Sequence, residues 1–113
     1  MVLTVHEHHG VTVVEVAGEL DDSNSAALGQ TCEQLLTEGQ RQFVLDLHAV
    51  DFIDSAGLAI LIRCFQRVRT SAGRFVLAAP QPAVRRILEL MRLDRIFEVY
   101  PNVTEAVGQH SST

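Results

Sequence analysis

Asp54 and Ser55 set a carboxylate beside a hydroxyl in the stretch VDFIDSAGLAIL, residues 50–61. Upstream the apolar residues are dense, as in a strand. Downstream Leu58, Leu61, Ile62, Phe65 and Val68 recur at the spacing of one helical face. Ser55 is therefore predicted at the mouth of a helix, where unpaired backbone amides favour an anion. A phosphate carried by Ser55 would meet those donors, next to Asp54 and close to Asp21. The same position also suits a plain helix N-cap, a role for which serine is among the preferred residues. Local sequence leaves both readings open.

Other chemistries find less support. A serine nucleophile elbow needs glycine two positions before the serine, and Ile53 stands there. His48 is the histidine nearest in sequence, but nothing in the spacing aims it at Ser55. Asp21, Asp22 and Asp54 could imitate the acidic cluster of a phosphoaspartate receiver. Such receivers use a lysine on the phosphoryl group, and this chain has no lysine. The same absence removes Schiff-base and P-loop lysines. HEHH at residues 6–9 offers His6 and His8 on one face of a strand, too few donors for a tetrahedral site. Cys32 and Cys64 lack a Cys-x-x-Cys spacing and read as buried small hydrophobes. No catalytic residue, metal or cofactor is expected.

The elements that must position Ser55 follow from periodicity. VLTVHE and VTVVEVAGEL are strand-like runs joined by a turn at HHG, which predicts a hairpin. A first helix follows, with Asp21, Asp22 and Ser23 as cap candidates. Leu28, Cys32, Leu35 and Leu36 form its apolar face, and Gly39 its stop. QFVLDLHAV is the next strand, and the helix after Ser55 ends at Gly73. RFVLAA is a strand. A helix opened by Pro82 aligns Val84, Ile87, Leu88 and Met91. RIFEVY is the predicted last strand, NVTEAVG a short final helix, and residues 108–113 a frayed tail. Strands separated by helices imply parallel neighbours, and the hairpin adds an antiparallel pair. The expectation is a single α/β domain over residues 2–107, with a mixed sheet, an N-terminal hairpin and then helix–strand repeats.

Bulk properties narrow the function. The chain has 113 residues, 47% of them hydrophobic and 20% charged, with a net charge of −5. That charge disfavours nonspecific nucleic-acid binding. No apolar run reaches membrane-spanning length, and the N-terminus lacks a signal-peptide pattern. A cytoplasmic protein without membrane insertion is expected. Residues 1–55 hold ten acids and one arginine, Arg41; residues 56–113 hold four acids and eight arginines. On the second helix Ile60 falls nearly opposite Leu58, with Ala56, Arg63 and Arg67 around it and Ala59 at the margin. An outward isoleucine among small residues and arginine stems suggests a docking surface; a stray surface apolar residue is the alternative.

With these residues in place, the chain resembles the STAS family, and within it the bacterial anti-sigma factor antagonists. AGELDDSNSAAL resembles the family's join between second strand and first helix. The region from Phe43 to Tyr100 follows its central pattern, including Asp-Ser-x-Gly-Leu at residues 54–58. The resemblance implies a non-enzymatic partner switch. An antagonist binds an anti-sigma factor that is a serine kinase, and the sigma factor is released. Phosphorylation at the start of helix two ends the interaction, and a serine phosphatase restores it. Carried onto this chain, Ser55 is the phosphorylation site. Asp21, Asp54, Ala56, Gly57, Ala59, Ile60 and Arg63 form the switch loop and partner surface. Many members have a second hydroxyl directly before the glycine, where this chain has Ala56. Either Ser55 is the acceptor or the domain is a non-phosphorylated signalling module. The family also includes an interaction subunit of lipid-transport ABC complexes, which is the alternative function.

Overall fold

In the computed structural model, the backbone of residues 1–111 and the side chains of residues 1–108 are described. Strand β1 (Val2–His8) turns back on β2 (Val11–Leu20) through His9 and Gly10, both at positive φ, 54° and 79°. Such a two-residue turn matches the twist of an antiparallel pair. The later elements are α1 (Ser25–Thr37), β3 (Gln42–Ile53), α2 (Ser55–Thr70), β4 (Arg74–Ala78), α3 (Pro82–Leu90), β5 (Val99–Tyr100) and α4 (Val103–Ser111). The sheet order is β1-β2-β3-β4-β5, antiparallel at the first pair and parallel at the others. The mixed α/β architecture and the hairpin are as the periodicity predicts.

Strand alternation divides the core between two faces. Val14, Val16, Phe43, Leu45 and Leu47 point to the side covered by α1, α2 and α3. Val11, Val13, Val44 and Val76 point to the other side, beneath Ala106 and Val107 of α4. The sheet is therefore covered on both faces, as parallel strands require.

Four expectations need correction. The predicted strand at residues 95–100 shrinks to Val99–Tyr100. Its beginning is instead a 3₁₀ turn, Leu93–Arg95, entered through Arg92 at φ 59°, which buries Leu93 and Phe97 against the core. β3 runs three residues past Val50 to Ile53. Met91 lies beyond the end of α3 and is 60% exposed, outside the helical stripe assigned to it. The last helix continues to Ser111, so the expected tail from residue 108 begins as helix; residues 112 and 113 lie outside the described residues.

Candidate functional site

The carboxyl ends of β2 and β3 lie side by side, with Leu20 opposite Ile53 in the parallel register. Each strand then gives way to a helix, so two loops share one end of the sheet. Ligands of open α/β sheets favour such an end.

Asp54, rather than Ser55, caps α2. Its Oδ1 accepts from the Gly57 amide at 2.9 Å, and its backbone is extended, φ −108° and ψ −173°. Its Oδ2 accepts from the Asp22 amide at 3.3 Å, which ties the β2–α1 loop to the mouth of α2. Leu20 contributes the third tie, its carbonyl accepting from the Asp54 amide at 3.3 Å. One carboxylate thus satisfies donors on two loops, and Ser55 becomes the first helical residue. The Ser55 side chain is exposed, and its hydroxyl has no partner among the described residues.

Gly57 is fixed by a close approach. A Cβ built there would stand 2.3 Å from the Leu20 carbonyl oxygen and 2.8 Å from Ile53 Cγ1. Only glycine lets the first turn of α2 rest directly on the ends of β2 and β3. Ala56 beside it is half-buried.

The Asp21 side chain makes no hydrogen bond to Ser55 among the described residues, and it does not cap α1. Its Oδ1 accepts from the Ser23 hydroxyl at 2.6 Å and the Ser23 amide at 3.0 Å, closing a local turn. The Ser23 hydroxyl chiefly, then backbone amides, hold the Asp21 carboxyl below its usual range. The N-cap of α1 is Asn24, not Asp21, Asp22 or Ser23. Its side chain bridges within the loop instead, from the Asp21 amide to the Glu19 carbonyl. Asp22 reaches the site through its backbone, a contact that side-chain chemistry could not reveal.

The outward face of α2 also differs from its helical wheel. Ser55, Ala59 and Arg63 are exposed at four-residue spacing and form its solvent stripe. Arg63 makes no ion pair among the described residues. Ile60 is half-buried and turns toward α1, where Gly29 makes room for it; a Cβ at Gly29 would lie 2.9 Å from Ile60 Cδ1. The second helix buries that flank because α1 packs along it. Ile60, Arg63 and Arg67 rim the cleft between these helices, and Cys32 and Cys64 line it. Arg67 grips Glu33 through Nε to Oε1 and, at 3.0 Å, Nη2 to Oε2. Both cysteines are buried and free. Contact with Cys32 and burial push the Cys64 thiol up, so it stays protonated.

Among the described residues no helix is long and apolar enough to cross a membrane. The chain is similar to known proteins along nearly its whole length. Residues 3–106 match the model of the STAS domain. The anti-sigma-F factor antagonist RsfB of Mycobacterium tuberculosis is 32% identical over 105 residues, covering 93% of this chain and 85% of the relative. The anti-sigma F factor antagonist of Paenibacillus polymyxa is 26% identical over 108 residues, covering 95% and 92%. The crystal structure of an anti-sigma factor antagonist from Mycobacterium paratuberculosis superposes with a TM-score of 0.87 at 34% identity, covering 96% of this chain and 92% of that one.

Proposed function

The chain belongs to the STAS domain family, and on that premise we propose that it is an anti-sigma factor antagonist switched by phosphorylation of Ser55. It acts in the cytoplasm by binding, without catalysing a reaction. Its partner is an anti-sigma factor that is also a serine kinase. Binding releases the sigma factor; phosphate transfer to Ser55 ends the complex, and a serine phosphatase resets it. The observation that carries this reading is the spare hydroxyl of Ser55: exposed, first in the helix, and not needed as a cap because Asp54 serves.

The charge arithmetic favours such a switch. A phosphate adds about −1.5 to −2 charges at neutral pH. A partner carboxylate about 5 Å away would be repelled by on the order of 3 kcal/mol per unit charge at an effective dielectric near 20. Half of that, after screening, still weakens binding about tenfold. Within the domain the phosphate can accept from first-turn amides of α2, so modification changes the surface without opposing the fold. The partner surface is the stripe Ser55, Ala59 and Arg63, flanked by Ala56 and the exposed edge of Ile60. Asp21 and Asp54 shape the adjoining loop, and Gly57 seats it.

The test is a pull-down from the native host followed by incubation of the captured kinase with ATP and intact-mass analysis. A single phosphate that disappears in Ser55→Ala supports the reading. Capture of an ABC transporter ATPase instead would support the lipid-transport alternative. A captured kinase that leaves the wild-type mass unchanged would remove the switch and leave a non-phosphorylated signalling module.

A further inference from the structure

On the α4-side face of the sheet, away from Ser55, three side chains of metal-binding type converge. Glu15 of β2 is the register partner of Asp46 of β3. His48 follows two residues later. Their ligand atoms, one from each side chain, all lie within 4.8 Å of one another. They come together because the β2–β3 ladder is irregular at this point. Three residues from Glu15 to Ala17 oppose four from Asp46 to Ala49, so β3 carries one extra residue. Such bulges re-aim side chains. Here His48 folds back so that its amide and its Nδ1 lie 3.0 Å and 2.9 Å from Asp46 Oδ1.

Asp46 makes the arrangement unusual for a surface cluster. Its side chain is only 8% exposed, whereas that of His48 is 55% exposed. Both contacts above fall on Oδ1. No donor reaches Oδ2 among the described residues, and Glu15, another carboxylate, is its strand neighbour. Buried carboxylates are ordinarily paired or bound to a cation. His48 fills that role at Oδ1, which leaves Oδ2, beside the Glu15 carboxylate, without a donor among the described residues.

We propose that Glu15, Asp46 and His48 form a divalent transition-metal site, best suited to Zn²⁺, at the bulge between β2 and β3. One imidazole nitrogen and two carboxylate oxygens match the ligand types of open zinc sites, with remaining positions left to water. Zinc bonds of about 2.0–2.2 Å at tetrahedral angles place donors about 3.3–3.6 Å apart. The hydrogen-bonded Nδ1 and Oδ1, 2.9 Å apart, must open slightly as the ion replaces the proton, and Glu15 must close from within 4.8 Å. Binding uses neutral imidazole, so the Nδ1 proton is either released or moved to Nε2 as the ion takes its place. The ion neutralises the two carboxylates and pins the register of β2 and β3. This departs from the sequence expectation of no metal, because residues 15, 46 and 48 show no ligand spacing until the register aligns them.

The test must separate this cluster from the histidines at residues 6, 8 and 9. We would titrate Zn²⁺ calorimetrically, in mildly alkaline buffer, into a background carrying His6→Ala, His8→Ala and His9→Ala. One ion per chain is expected, with a rise in melting temperature. Glu15→Gln and His48→Gln in that background should each weaken binding by at least about tenfold. Both side chains reach solvent, so these variants spare the buried Asp46, and their apo melts provide the folding control. Co²⁺ in place of Zn²⁺ should give a spectrum without a thiolate charge-transfer band. Loss of saturable binding in the triple-alanine background would overturn the proposal, as would unchanged affinity in both glutamine variants or a thiolate band from the cysteine pair.

Discussion

The Asp54 carboxylate accepts from the Gly57 and Asp22 amides, so truncating it strands donors on two loops. Asp54→Ala should cost about 1–2 kcal/mol, the upper part of the range for N-cap removal. Ser55→Ala removes an exposed hydroxyl with no partner among the described residues and should stay within about 0.5 kcal/mol of wild type. Urea unfolding, with equal m-values, measures both. A Ser55→Ala loss as large as that of Asp54→Ala would return the capping role to the serine. The Asp21 carboxyl makes part of the stability depend on pH. In the folded state it titrates below the unfolded value because of Ser23. The associated stabilisation is present above the unfolded value and is lost as pH falls through the folded one. Carboxyl-carbon NMR should place the Asp21 midpoint below that of an ordinary aspartate, and Ser23→Ala should raise it.

Two glycines show how element packing decides what the sequence could reveal. A methyl at Gly57 meets a backbone carbonyl, which cannot step aside. Gly57→Ala should therefore cost about 1–3 kcal/mol or more despite the better helix propensity of alanine. A methyl at Gly29 meets only the tip of Ile60, which can rotate. Gly29→Ala, with about 1 kcal/mol of propensity in its favour, should stay within about 1 kcal/mol of wild type. Chemical denaturation of the pair checks the contrast. Sequence spacing made the helices readable because Leu28, Cys32 and Leu36, or Leu58, Leu61 and Val68, mark a buried stripe directly. It misplaced Ile60 because a single-helix wheel contains no neighbour, and α1 supplies one. It lengthened β5 because Phe97 is equally apolar in a strand or under a 3₁₀ turn. The cap went to Asp54 rather than Ser55 on loop geometry: Asp22 had to arrive beside it from 32 residues away.

At the scale of the molecule, the parallel register carries the ends of β2 and β3 to one edge, and the α2 stripe continues from that edge along the surface. The proposed switch residue Ser55 and the exposed stripe Ala59 and Arg63 therefore lie side by side outside the buried core. Substitutions on the stripe should change affinity alone, whereas substitutions on its buried flank should change stability. Ala59→Glu and Arg63→Glu each place negative charge one or two turns from Ser55, on exposed positions. Each should weaken binding to the captured anti-sigma factor by about tenfold or more while the melting temperature stays within a few degrees, as expected for surface changes of about 0.5 kcal/mol. Ser55→Asp should act in the same direction and less strongly than phosphate, which carries more charge. Ile60→Ala empties part of the contact with α1 and should lower the melting temperature, with a cost approaching about 2 kcal/mol. Calorimetric titration paired with a melt for each variant separates the two classes. If the three charged variants stay folded and bind like wild type, the partner contacts another face, and phosphorylation at Ser55 could not release it by local repulsion.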